Sequence, residues 1–271
     1  MLKRILAAIV LLPVLLVIIF WAPKVCLAIL FGCMAAVGAY ELLWGTGLVK
    51  HPRLIAYSAA AAFGVSIWSF YGMPHAWGLL GALVFCGLLY AELLGSKAVL
   101  PYWQVAVCIA AGLLVPYLLC AVVRIHAADQ GRGLILIPFI LAFLSDTGAY
   151  FVGCFFGKHK LAPVISPKKT VEGVVGGVVA TMLSVVLYCL ILQFGFHFRV
   201  NYFYAVIYGL LGSLAGVFGD LAFSAIKRQT GIKDYGNLIP GHGGILDRFD
   251  SMTLVAPLAE VLLIFLPVAV K

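Results

Sequence analysis

Apolar runs follow one another along nearly the whole chain, broken by short stretches that hold most of its charge. One helical crossing of a bilayer's hydrocarbon core takes about 20 such residues. Composition agrees with that solvent. Of 271 residues, 64% are hydrophobic and 10% charged, with mean hydropathy +1.13, where soluble domains average about 45–50% and about 25%. Disorder is excluded as well, because it requires low hydrophobicity. The runs predict about nine membrane-spanning helices, at roughly 5–21, 25–44, 54–71, 76–94, 102–123, 134–155, 174–196, 203–226 and 252–270. Pro13, Pro116 and Pro138 fall inside spans, which membrane helices tolerate when neighbouring groups satisfy the freed carbonyls. No small-residue cleavage site precedes Trp21, so the first run is expected to remain as a helix. Without internal repeats or linkers, the expectation is one all-α, polytopic integral membrane domain over 1–271. The N-terminal helices are expected over 1–133, and the helices and loops that hold the candidate site over 134–271.

Sidedness follows from the basic residues. Laid on alternate sides of nine spans, thirteen of the eighteen Lys and Arg fall on one side, with Lys3, Arg4, Lys50, Arg53 and Lys97 among them. Cytoplasmic loops carry such an excess, so the N-terminus is expected in the cytoplasm. The same rule accounts for the net charge of +8 without invoking nucleic acid. The two most polar loops, about 156–173 and 227–251, then share the cytoplasmic border. The seven cysteines lie in or beside apolar stretches and form no Cys-x-x-Cys, which suits small apolar filler.

Only ten carboxylates exist, and six of them, Asp146, Glu172, Asp220, Asp234, Asp247 and Asp250, fall within 146–250. Glu41, Glu92, Asp129 and Glu260 are scattered. An ionisable group at membrane depth is expensive and so is a functional hypothesis by default. If the eighth span runs on to Arg228, then Asp220, Ser224 and Lys227 share one helix face. Gly212-x-x-x-Gly216 allows a close helix neighbour. Pro240-Gly-His-Gly-Gly244 is a turn that lets backbone approach a ligand. Asp247 and Asp250 follow at i and i+3, a carboxylate density that suits Mg²⁺, which shares one or two carboxylates with substrate phosphates. Ser166-Pro-Lys-Lys-Thr170 opens the seventh span with donors near a helix N-terminus, which favours phosphate. No nucleophile with a nearby base stands out, so the inventory fits phosphoryl or nucleotidyl transfer, where positioning and charge neutralisation dominate.

These residues resemble a family. The pattern Ser224-x-x-Lys227-Arg228-x4-Lys233-Asp234-x5-Pro240-x-His242-Gly243-Gly244-x-x-Asp247-Arg248-x-Asp250 is similar to the signature of phosphatidate cytidylyltransferase, also called CDP-diacylglycerol synthase. The likeness extends upstream through Ser145-Asp-Thr-Gly-Ala-Tyr150, Phe156-Gly-Lys158 and Ser166-Pro-Lys-Lys-Thr-x-Glu-Gly173. It covers about 145–250, with Cys154 as a departure where the family commonly has a basic residue. The resemblance implies transfer of CMP from CTP to phosphatidate, a requirement for Mg²⁺ with room for a second ion, and a compact bacterial enzyme of the inner membrane. It leaves room for a homodimer. It implies metal ligation by Asp220 and Asp247 with Asp146 as a third candidate, and catalytic roles for Asp220, Asp247, Lys227 and Arg248. Lys168, Lys169, Ser224, Arg228, Lys233, His242, Gly243 and Gly244 are the implied substrate contacts. Two rival readings compete with this one. A CDP-alcohol phosphotransferase would carry Asp-x-x-Asp-Gly-x-x-Ala-Arg, which is absent from the sequence. A transporter would use Asp146 and Asp220 for ions or protons, and often carries inverted repeats.

Overall fold

The computed structural model describes residues 13–95, 100–238 and 243–271. The helices are α1 (Lys24–Gly45), α2 (Pro52–Tyr71), α3 (His75–Gly95), α4 (Tyr102–Ala127), α5 (Gly131–Phe156), α6 (Val171–Phe196), α7 (Tyr202–Gln229), α8 (Leu246–Phe249) and α9 (Met252–Phe265). Four short strands complete the set: β1 (Lys160–Ala162), β2 (Ser166–Thr170), β3 (Arg199–Val200) and β4 (Ala269–Val270). Among the described residues, seven helices, α1 to α7, are long and apolar enough to cross a membrane. They correspond to the second through eighth expected spans. Of the first expected span, residues 13–20 are helical, Trp21 lies in a turn, and 5–12 lie outside the described residues. The chain divides into two compact units, Met1–Ala127 with Gln229–Phe249, and Ala128–Arg228 with Asp250–Lys271.

In the first unit α1 and α2 pack along their lengths, joined where the Ser66 hydroxyl donates to the Ala28 carbonyl at 2.7 Å. α4 runs beside both. It widens into a π turn at Ala110–Leu114, just before Pro116. A proline ring inside a helix collides with the carbonyl four residues back, and a wide turn carries that carbonyl aside. α1 ends in a second π turn, Glu41–Gly45, which holds one of the few carboxylates of the chain.

In the second unit α5 and α6 form the most intimate helix pair, with Gly148 against Gly176 and Gly177, and Gly153 against Gly173. Small residues at a seam let backbones approach, the main route to helix association in lipid. Ser145 and Ser213 share a hydrogen bond of 2.7 Å that joins α5 to α7. Thr170 caps α6, its hydroxyl accepting the Gly173 N–H at 3.2 Å.

Two details differ from the sequence reading. The 156–173 loop contains an antiparallel ribbon in which Lys160 faces Thr170 and Ala162 faces Ser166. The ninth helix stops at Phe265 rather than running to 270. Pro267 pushes Leu266 out of the helical region, to φ −132° and ψ 65°, and β4 turns back to pair with β3.

Candidate active site

In the first unit the start of α8, just after Gly243 and Gly244, is held by a residue that the sequence pattern did not single out. Glu41 is 3% exposed, and its two oxygens accept the Ile245 N–H at 3.0 Å and the Leu246 N–H at 2.9 Å. Those donors open α8, whose first N–H groups have no partner inside the helix, and a carboxylate there also meets the positive end of the peptide dipoles. The neighbours are shaped to this carboxylate. A Cβ on Gly244 would lie 2.5 Å from both Glu41 oxygens, and one on Gly236 would lie 2.6 Å from Oε1. α1 and α8 also meet through Phe31 and Phe249, edge to face at 6.1 Å.

Asp247 binds backbone on both sides of the undescribed 239–242 segment. It is buried, and its Oδ2 accepts the Tyr235 N–H at 2.8 Å and the Gly244 N–H at 3.0 Å. Gly243 adopts φ +86°, open to glycine and rare for other residues, with the Asp247 carboxylate directly beside it. Arg248 and Lys233 are exposed in this unit, while His242 and Pro240 lie outside the described residues.

In the second unit the signals centre on Asp220. α7 continues through Gln229, so the expected face exists: the Ser224 hydroxyl donates to Asp220 Oδ1 at 3.1 Å, one turn away. Lys169 reaches Asp220 Oδ2 from β2 at 2.6 Å. Lys169 is half-buried there, whereas Lys168 is exposed. Asp250 lies against the same helix because Gly219 has no side chain; a Cβ there would sit 2.9 Å from the Asp250 carbonyl oxygen. Burial pushes the Asp250 carboxyl up to about 7, and the nearby charge of Asp220 adds to the shift, with a smaller push from Asp146. The Ser251 N–H and the Lys227 ammonium act in the opposite direction. Arg228 donates through Nε to the Ile165 carbonyl at 3.1 Å, tying the end of α7 to the β1–β2 turn.

This unit therefore gathers Asp146, Asp220, Asp250, Lys169 and Lys227 within electrostatic reach of one another. Among the described residues no three His, Cys, Asp or Glu side chains form a closed metal cage. Mg²⁺ does not require one, since it typically keeps waters and phosphate oxygens beside one or two carboxylates. A carboxyl held near neutral pH by burial and by an adjacent carboxylate marks a place where added positive charge is favourable. On that chemistry the residues present fit the metal.

A match to the family model described as "Cytidylyltransferase family" covers residues 2–266. The chain belongs to the cytidylyltransferase family. Similar curated relatives include a phosphatidate cytidylyltransferase of Staphylococcus haemolyticus (strain JCSC1435), 44% identical over 136 residues, which is 50% of this chain and 51% of that protein. The proteins of the same name from Staphylococcus saprophyticus (strain ATCC 15305) and Staphylococcus aureus (strain COL) are 46% identical over 136 residues, with the same shares covered. The chain thus spans about half the length of the curated relatives it matches. Membership of this family agrees with the resemblance carried by the polar loops. It does not by itself account for Glu41, which the sequence pattern omits. The signal available was a lone Glu ending an apolar run, one of four scattered carboxylates.

Proposed function

We propose that this chain is a phosphatidate cytidylyltransferase of the bacterial inner membrane, making CDP-diacylglycerol and pyrophosphate from CTP and phosphatidate. The observation that carries the reading is the cluster in which Lys169 of β2 and Ser224 of α7 meet Asp220, with Asp250 pressed against α7 through Gly219. Ser224 and Asp250 are the first and last fixed residues of the long sequence pattern. The relatives named above support the substrates, and the excess of basic residues supports a cytoplasmic site.

The chemistry follows from the substrates. A phosphate oxygen of phosphatidate attacks the α-phosphorus of CTP in line; that P–O bond forms as the bond to the β-phosphate breaks, and pyrophosphate leaves. Phosphatidate brings its own nucleophile, so the protein must position two anions and neutralise their charge. Asp220 and Asp247 are the proposed holders of Mg²⁺, with Asp146 as a third candidate. When bound, the ion would screen the phosphates and stabilise the departing pyrophosphate. Lys168, Lys169, Lys227, Arg228, Lys233 and Arg248 supply positive charge to the triphosphate and the lipid phosphate. The Lys169–Asp220 pair sets a cation beside a carboxylate, the combination that a metal-bound phosphate meets. Gly243 and Gly244, held by Asp247 and Glu41, present backbone rather than side chain to the nucleotide. Ser224 and His242 are proposed to contact phosphate or the water shell of the metal.

The test is pyrophosphate release by the purified protein in mixed micelles with phosphatidate, Mg²⁺ and either CTP or ATP. Release that needs both CTP and phosphatidate, and stops with EDTA, is the expected result. Folded protein that releases none under any condition would overturn the reading and favour a transporter.

A further inference from the structure

Glu172 stands in the first turn of α6, in the second unit, and the proposed reaction gives its carboxylate no role. Thr170 already caps that helix. The Glu172 oxygens accept from the residues that lead into β1: the Lys158 N–H at 3.1 Å, the His159 N–H at 3.2 Å, and the His159 ring, whose Nδ1 lies 2.6 Å from Oε1. A ring nitrogen facing a carboxylate oxygen so closely carries the proton, since the carboxylate can only accept. One side chain therefore gathers three donors from a segment thirteen and fourteen residues before it.

The segment so held begins the β1–β2 ribbon. β1 has three residues and β2 five, and an isolated two-stranded hairpin is marginally stable at best in water. Its position therefore depends on anchors outside it. Near the far end, the Arg228 Nε–H donates to the Ile165 carbonyl at 3.1 Å, and within β2 the Lys169 ammonium lies 2.6 Å from Asp220 Oδ2. These two contacts are matched in length. The four steps from Ile165 to Lys169 span about 13 Å of strand, and the eight from Asp220 to Arg228 rise about 12 Å along α7. β2 thus lies along the last turns of α7, running the opposite way. At the near end Glu172 fixes Lys158 and His159, the Val171 N–H donates to the His159 carbonyl at 2.9 Å, and Lys160 faces Thr170. Gly157 fits closely there, since a Cβ on it would lie 2.8 Å from the Thr170 hydroxyl.

We infer that Glu172 is a positioning residue for cytidylyl transfer: by holding the start of β1 it keeps β2 along α7 and the Lys169 ammonium on Asp220. The inference rests on the function proposed above, and its test separates the two. Glu172 acts through Lys169, so the reactivity of that amine is the readout. The full chain in detergent micelles is pulsed with acetic anhydride, and tandem mass spectrometry compares acetylation of Lys169 with that of its exposed neighbour Lys168. The native ratio should be low, because the Lys169 ammonium is enclosed and ion-paired. Glu172→Ala removes the acceptor for all three donors, so the ratio should rise several-fold. Pyrophosphate release with CTP and phosphatidate should fall about tenfold or more, as for loss of one hydrogen bond to a charged group. His159→Ala keeps both backbone bonds and should move both readouts far less. If Glu172→Ala does not fold, Glu172→Gln, which keeps one acceptor oxygen, carries the test with smaller changes in the same direction. An unchanged ratio in the folded variant would overturn the inference, and so would native turnover despite a raised ratio. A native protein that releases no pyrophosphate, with the ratio still raised in the variant, would overturn the proposed function and uphold the hold on Lys169.

Discussion

Replacing Glu41 by glutamine keeps the size of the side chain and removes half of what it does. The native carboxylate accepts two backbone N–H groups, from Ile245 at 3.0 Å and Leu246 at 2.9 Å, in a site where the residue is 3% exposed. Glutamine keeps one acceptor and turns a donor toward the other N–H. A hydrogen bond to a charged group contributes about 1.5–3 kcal/mol, and a buried donor left unsatisfied costs about 1–3 kcal/mol. About 3 kcal/mol is therefore withdrawn from the ordered turn, roughly a hundredfold in its population at about 1.4 kcal/mol per factor of ten. Because Gly236 and Gly244 are fitted to the native carboxylate, no neighbouring side chain can move in to replace the lost acceptor. Pyrophosphate release with CTP varied is the assay, paired with hydrogen exchange at the Ile245 and Leu246 amides. Turnover should fall by ten- to a hundredfold, with those two amides exchanging faster and the bulk of the helices unchanged. Glu41→Ala, which leaves both donors without a partner, should be worse. Wild-type kinetics with unchanged exchange in Glu41→Gln would refute the reasoning, and so would a loss of activity that only tracks the folded fraction.

Asp220→Asn and Asp247→Asn should each abolish turnover while leaving folded protein in detergent; near-normal activity in either would remove that residue from the metal site. Gly219→Ala places a methyl group 2.9 Å from the Asp250 carbonyl oxygen, and overpacking of this kind costs about 1–3 kcal/mol, so the thermal midpoint in detergent should drop by several degrees. The Asp250 carboxyl is raised from 3.8 to about 7 in the folded protein. Its contribution to stability is thus fullest below about pH 4 and is lost as pH rises toward 7. In EDTA, melting temperatures should therefore decline across that window, and Asp250→Asn should flatten the decline. An unchanged pH profile in that variant would disprove the assignment.

The solvent of this protein, its helical class and its family are all written in one dimension. Apolar runs of spanning length admit few other structures, and the Ser224–Asp250 pattern is specific without any knowledge of contacts. The Asp220–Ser224 hydrogen bond was likewise legible, because a helix places residues four apart on one face. What the sequence could not show were contacts between distant segments. Lys169 rather than Lys168 meets Asp220, a contact between segments some fifty residues apart. Asp250 reaches α7 because Gly219 leaves room for its backbone. Glu41 is separated by about two hundred residues from the amides it binds, and its neighbours in sequence are those of any apolar helix end. Periodicity and local motif report what a residue does within its own turn of helix. Which buried carboxylate satisfies which orphan N–H is decided only when the chain has packed, and that pairing is what shapes the turn.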